Sequence, residues 1–208
     1  MAPPKNLADL RTLTPEATLQ PLYELAALVP PEECIVEIGT YRGASACWLA
    51  SGAVGGLGAH VYTIDPHDLP GSRTTTVRGP GGLDFTDPSI REDARAQIER
   101  CGLTEHITMI QGFSVEVGKT WEGPKVGLLF IDGDHRQDAV RRDFSAWEPH
   151  LSGDAVIAFD DYAASHPGVP AAVSALVAKE LVTEPMVFDR LAVVQRIPLA
   201  YRTGKAHR

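Results

Sequence analysis

The chain has 208 residues, 44% hydrophobic and 22% charged, which suits one globular domain whose core needs no disulfide staples. Lys and Arg number 19 against 27 Asp and Glu, a formal charge of −8. That balance argues against a nucleic-acid partner, because such binding neutralises phosphates with basic side chains. No run approaches the ~18 apolar residues of a membrane span, and no secretory signal is recognised. The three cysteines, Cys34, Cys47 and Cys101, cannot all pair with one another, so a reduced, cytoplasmic protein is expected.

Thr14-Pro15 reads as a helix start. The helix after it carries Leu19, Leu22, Tyr23, Ala26 and Val29 at helical spacing, with Pro21 expected to delay or kink it and Pro30-Pro31 to end it. An alternation follows. Strands are expected at 34–38, 61–64, 107–110, 126–131 and 155–159. Helices are expected from about Ala44 to Ser51, from Ser89, along Val140, Phe144, Trp147 and Leu151, and along Val169, Val173, Leu176 and Val177. Met186-Val187-Phe188 and Leu191 to Gln195, split by Asp189-Arg190, read as a tight hairpin. Several strands are continuous apolar runs, the mark of a parallel sheet buried on both faces by helices. The expected fold is therefore α/β, Rossmann-like and doubly wound, with a mostly parallel seven-stranded sheet and an antiparallel C-terminal hairpin strand. Residues 1–29 are read as an N-terminal helical arm, 30–198 as the main domain and 199–208 as a flexible tail.

In such sheets ligands bind beyond the carboxyl ends of the strands. Glu37, Gly39, Thr40, Tyr41 and Gly43 follow the first strand; Asp65 and His67 follow the second. Gly112, Phe113 and Ser114 follow the third. Asp132, Asp134 and His135 follow the fourth, and Asp160, Asp161 and Tyr162 the fifth. One acidic strand end is ordinarily a cap or turn residue; four acidic ends of five on one edge point to a site. The first loop is Glu-x-Gly-x-x-x-Gly, not the Gly-x-Gly-x-x-Gly that cradles a pyrophosphate. Glu37 would repel phosphate and suits an ammonium or hydroxyl donor. Asp65 suits a ribose diol. The implied ligand is a nucleoside carrying a cation.

The run Val36 to Ser45, with Asp65, resembles the first motifs of class I S-adenosylmethionine-dependent methyltransferases. The run Phe130 to His135 and Asp160-Asp161-Tyr162 resemble the small branch of macrolide sugar O-methyltransferases and cephalosporin-hydroxylase-like proteins. The resemblance implies that Glu37, Gly39, Thr40, Tyr41, Gly43 and Ser45 flank the methionine part of the cofactor. It implies that Asp65 takes the ribose hydroxyls beside His67, and that Gly112, Phe113 and Ser114 line the adenine. It implies Mg2+ held by Asp132, Asp160 and Asp161, with Asp132 also beside the cofactor. His135 is implied as the general base, Asp132 assisting. The partner is then a small hydroxylated molecule, a sugar or polyketide-type compound, with neither nucleic acid nor membrane. The N-terminal helix either completes the pocket or mediates a homodimer.

The loop from His67 to Pro88 is expected to form a lid, with Arg73 and Arg78 reaching an anionic substrate. A metal-independent O- or N-methyltransferase of the same fold is the alternative reading. A nicotinamide oxidoreductase needs the phosphate-binding glycines that this chain lacks. A non-catalytic binding module would bind the cofactor without transfer.

Overall fold

The computed structural model of the chain describes residues 3–70 and 89–202. The expected lid, with Arg73 and Arg78, falls largely in 71–88 and lies outside the described residues, as does the tail beyond 202. Strands β1 (Glu33–Ile38), β2 (His60–Asp65), β3 (Ile107–Gln111), β4 (Lys125–Ile131), β5 (Leu151–Phe159), β6 (Met186–Phe188) and β7 (Leu191–Gln195) form one seven-stranded sheet. Its order is β3-β2-β1-β4-β5-β7-β6. The first five strands are parallel; β7 runs antiparallel to both β5 and β6. The sheet expected from the sequence is thus present.

Among the described residues six α-helices flank it: α1 (Glu16–Ala26), α2 (Ala44–Gly55), α3 (Ser89–Arg100), α4 (Ser114–Lys119), α5 (Gln137–Trp147) and α6 (Gly168–Ala178). Strand side chains alternate between faces. Ile35, Leu128, Phe130 and Ala158 join α1 and α2 in one buried cluster, while Val36, Leu129, Ile157 and Phe159 join α5 and α6 in the other.

Three details differ from expectation. α1 starts at Glu16, directly after Pro15, and continues through Pro21, so its start is not delayed. Over residues 3–29 the expected arm packs into the core: Leu7, Leu10, Leu19, Leu22 and Tyr23 are buried in the α2 cluster. A Cβ on Gly52 would lie 2.1 Å from the Tyr23 carbonyl oxygen, so α1 and α2 meet backbone to backbone. Leu151 opens β5 instead of closing α5. Ser152-Gly153-Asp154 then bulges between the pairs Val126–Leu151 and Leu128–Val156.

Order reverses between β1 and β4, the switch point where open α/β sheets bind ligands. The register aligns the strand ends there, Ile38 with Ile131 and Ile131 with Phe159. Gly39, Asp132 and Asp160 therefore leave the sheet side by side.

Candidate active site

The loop after β1 is built by close approach. Gly39 has φ +99°, and a Cβ there would sit 2.1 Å from the Asp132 carbonyl oxygen. Only glycine lets the two strand ends meet in this way. Gly43, at φ +80°, caps α2 and packs against Ala94 of α3. α3 is tied to the same loop, because Gln97 donates to the Arg42 carbonyl and Asp93 pairs with the Arg42 guanidinium. Tyr41, at φ 44°, lies beside Arg42, whose guanidinium sits 5.4 Å from its ring centroid.

Glu37 faces away from solvent, at 0% exposure. Thr63 donates its hydroxyl to Glu37, and Thr40 Oγ1 lies 2.5 Å from Thr63 Oγ1. Burial pushes the Glu37 carboxyl up to about 8, opposed by hydrogen bonds from Ser45 and Thr63. Alternation along β1 aims Glu37 into the α2 face, where the Thr63 and Ser45 hydroxyls are its donors.

Asp65 presents the opposite environment. Its Oδ2 accepts the Thr40 and Tyr41 backbone N–H groups at 2.9 and 3.0 Å, and Oδ1 accepts that of His67 at 2.7 Å. The carboxylate pins the β1 loop to the end of β2. Of its roughly four lone-pair sites, about one is left for a ribose hydroxyl, rather than the two that a diol would use. His67, at φ 46°, is buried, and burial lowers its pKa.

After β3, Gly112 donates to the Asp65 carbonyl at 3.1 Å. Phe113 is 39% exposed, so it is not a core aromatic and its ring is open to a ligand. Ser114 turns inward instead: its hydroxyl accepts Trp147 Nε1 at 3.1 Å and bonds Asp143, which ties α4 to α5.

Asp132, Asp160 and Asp161 converge beyond β4 and β5. Burial, with Asp161 nearby, holds Asp132 above the usual carboxylate range; burial and Asp132 do the same to Asp160. Asp161 takes φ 54°, a left-handed conformation that Asp tolerates better than most residues. Its Oδ2 lies 3.1 Å from His135 Nδ1 and 3.4 Å from His166 Nδ1. The two imidazoles meet edge to face at 4.9 Å. His135 Nε2 is buried, 3.5 Å from Asp132 Oδ1, with no hydrogen-bond partner among the described residues. Arg190, from the β6–β7 turn, places Nη1 3.2 Å from Asp161 Oδ1 and Nη2 3.5 Å from Asp160 Oδ2.

Sequence reasoning missed His166 and Arg190. Neither belongs to a motif, and both arrive from elements remote in sequence. The one available signal was that Asp189-Arg190 turns the chain at the edge where β5 ends.

The family profile for a methyltransferase domain matches residues 36–162, more than half of the chain. The chain belongs to that family, and the resemblance to class I S-adenosylmethionine-dependent methyltransferases holds. Among solved structures it is similar to the O-methyltransferase NovP, with TM-score 0.70 and 18% identity, covering 89% of this chain and 82% of that one. It is similar to the O-methyltransferase TomG from Streptomyces achromogenes, with TM-score 0.64 and 18% identity over 94% and 90% of the two chains. A Bacillus cereus O-methyltransferase in complex with SAH gives TM-score 0.63 and 19% identity over 91% and 86%. Among the described residues no helix is long and apolar enough to cross a membrane.

Proposed function

We propose that the chain transfers the methyl group of S-adenosylmethionine to a hydroxyl of a small metabolite, with His135 as general base. One observation carries this reading. His135 Nδ1 lies 3.1 Å from Asp161 Oδ2, while Nε2 is buried with no hydrogen-bond partner among the described residues. With the ring proton on Nδ1, toward Asp161, the lone pair is on Nε2, the form a base needs. S-adenosylmethionine supplies an electrophilic methyl group. His135 Nε2 takes the acceptor's proton as its oxygen attacks, and afterwards releases that proton to solvent. Asp161 keeps the imidazole oriented and stabilises its charged form, while Arg190 keeps Asp161 in place. Most of the acceleration then comes from positioning and fixed electrostatics. Thr40, Tyr41 and Asp65 hold the cofactor side, with Phe113 beside the adenine.

A shallow, open depression lies beside His135 and His166, lined also by Asp134, Arg136 and Gly168. TomG is described as involved in tomaymycin synthesis, and its likeness supports a natural product as the acceptor, of sugar or polyketide type.

Mg2+ at Asp132, Asp160 and Asp161 was the expectation from the resemblance. The three carboxylates meet, but the chain sets a cation of its own against two of them: Arg190 lies against Asp160 and Asp161. The metal-independent alternative is therefore favoured by the observed position of Arg190.

A panel of hydroxylated sugars and polyketides, incubated with labelled S-adenosylmethionine, tests the reading. Release of S-adenosylhomocysteine with an O-methyl product is expected. An N-methyl product, or none across the panel, would contradict it.

A further inference from the structure

The geometry points to Arg190 as the resident cation of this site, standing where a metal-dependent relative would hold a divalent ion, so that the chain binds no divalent cation there. The inference rests on the methyl-transfer reading for its meaning, though not for its test.

Arg190 is a built feature, not a wandering surface side chain. Its carbonyl accepts the Tyr162 N–H at 2.8 Å, which fixes the β6–β7 turn to the residue after Asp161. Its guanidinium spans two successive carboxylates, 3.2 Å from Asp161 Oδ1 and 3.5 Å from Asp160 Oδ2. Nη2 also donates to the Leu13 carbonyl at 3.1 Å, which brings the segment before α1 against the same group. The neighbouring residue Asp189 takes φ 55° and accepts the Thr18 hydroxyl at 3.5 Å, a second tie to α1. The side chain is 29% exposed.

The electrostatics follow. Three carboxylates in one place need a positive partner. A guanidinium serves at every working pH, because it does not lose its proton in proteins. A dication entering beside it meets like charge at contact distance, whichever carboxylate oxygen it takes. Arg190 Nη1 faces Asp161 Oδ1 while Oδ2 faces His135 Nδ1, so Arg190 acts as a positioning residue for the base. Arg190 Nε is buried without a partner among the described residues, one donor still unspent in the site.

The test is calorimetric titration of Mg2+ and Mn2+ into the wild type, Arg190→Lys and Arg190→Met. No binding at the carboxylates is expected for the wild type or for Arg190→Lys, which keeps the charge. Arg190→Met is expected to gain Mn2+ affinity by at least about tenfold, since removing one unit charge at this distance shifts binding by more than one decade. Wild-type cation binding that Asp160→Asn removes would overturn the inference. So would Arg190→Met that folds and gains nothing. If Arg190→Met does not fold, the wild type and Asp160→Asn decide alone: absence of a shared site upholds the inference and its presence overturns it. Titrating S-adenosylmethionine into the same samples separates the two readings. A wild type that ignores the cofactor sinks methyl transfer and leaves the cation result standing.

Discussion

Two carboxylates at the strand ends, Asp65 and Asp161, are satisfied in contrasting ways. Asp65 is held by three backbone N–H groups from residues 40, 41 and 67. Asp161 is held by the side chains of His135, His166 and Arg190, drawn from three separate parts of the chain. Backbone amides come with the fold, so the cofactor half is fixed once β1 and β2 pair. Side-chain partners must be brought in by tertiary packing, so the transfer half depends on the hairpin and on the loops before α5 and α6. On the proposed reading the first half is a binding frame and the second tunes the chemistry.

Substitutions that act on one half alone break or sharpen this contrast. The largest effect is expected in the transfer half. His135→Ala should lower methyl transfer by roughly 100- to 10,000-fold while cofactor affinity stays unchanged, read from turnover beside calorimetry. Gly39→Ala comes next, since it joins the halves. Its Cβ would enter the Asp132 carbonyl at a left-handed φ, and about 2–5 kcal/mol of stability should be lost to overpacking and backbone strain. Denaturant unfolding measures this, and a near-neutral result would mean that the two strand ends are not in contact. Asp65→Ala should weaken cofactor binding by roughly 1.5–3 kcal/mol, the range for charge-assisted hydrogen bonds. A merely conformational cost would lower the melting temperature and spare the affinity.

The least direct effect on the contrast concerns Glu37, buried behind the loop. Its folded pKa, about 8, lies above its usual 4.5. The folded state therefore binds the proton more tightly, so Glu37 favours folding at acid pH, and that contribution is lost as pH rises through this window. The wild type should lose stability between about pH 5 and 8. Glu37→Gln, neutral throughout, should lessen that decline, the remainder coming from Asp132 and Asp160.

Much of the frame was legible because its signals are local. Apolar runs ending in Gly39, Asp65 and Asp132 gave the strands and their ends. Other features were hidden for physical reasons. α4 is six residues long, too short to show a period. The early start of β5 is masked by Ser152-Gly153-Asp154, which reads as a turn. Alternation on β1 sends Glu37 into the α2 face, which its place in the motif does not reveal. Arg190 and His166 meet Asp161 only because β7 lies beside β5 and α6 begins next to the loop that carries His135. A Cβ on Gly168 would lie 2.3 Å from the His135 carbonyl oxygen. Such long-range contacts leave no periodic trace in a sequence.

The division of labour between the halves is tested most directly by titrating S-adenosylmethionine calorimetrically into the wild type and His135→Ala. The two should bind the cofactor alike, because the frame of Thr40, Tyr41 and Asp65 is untouched. A wild type that does not bind S-adenosylmethionine, or a His135→Ala variant that has lost binding, would contradict the account.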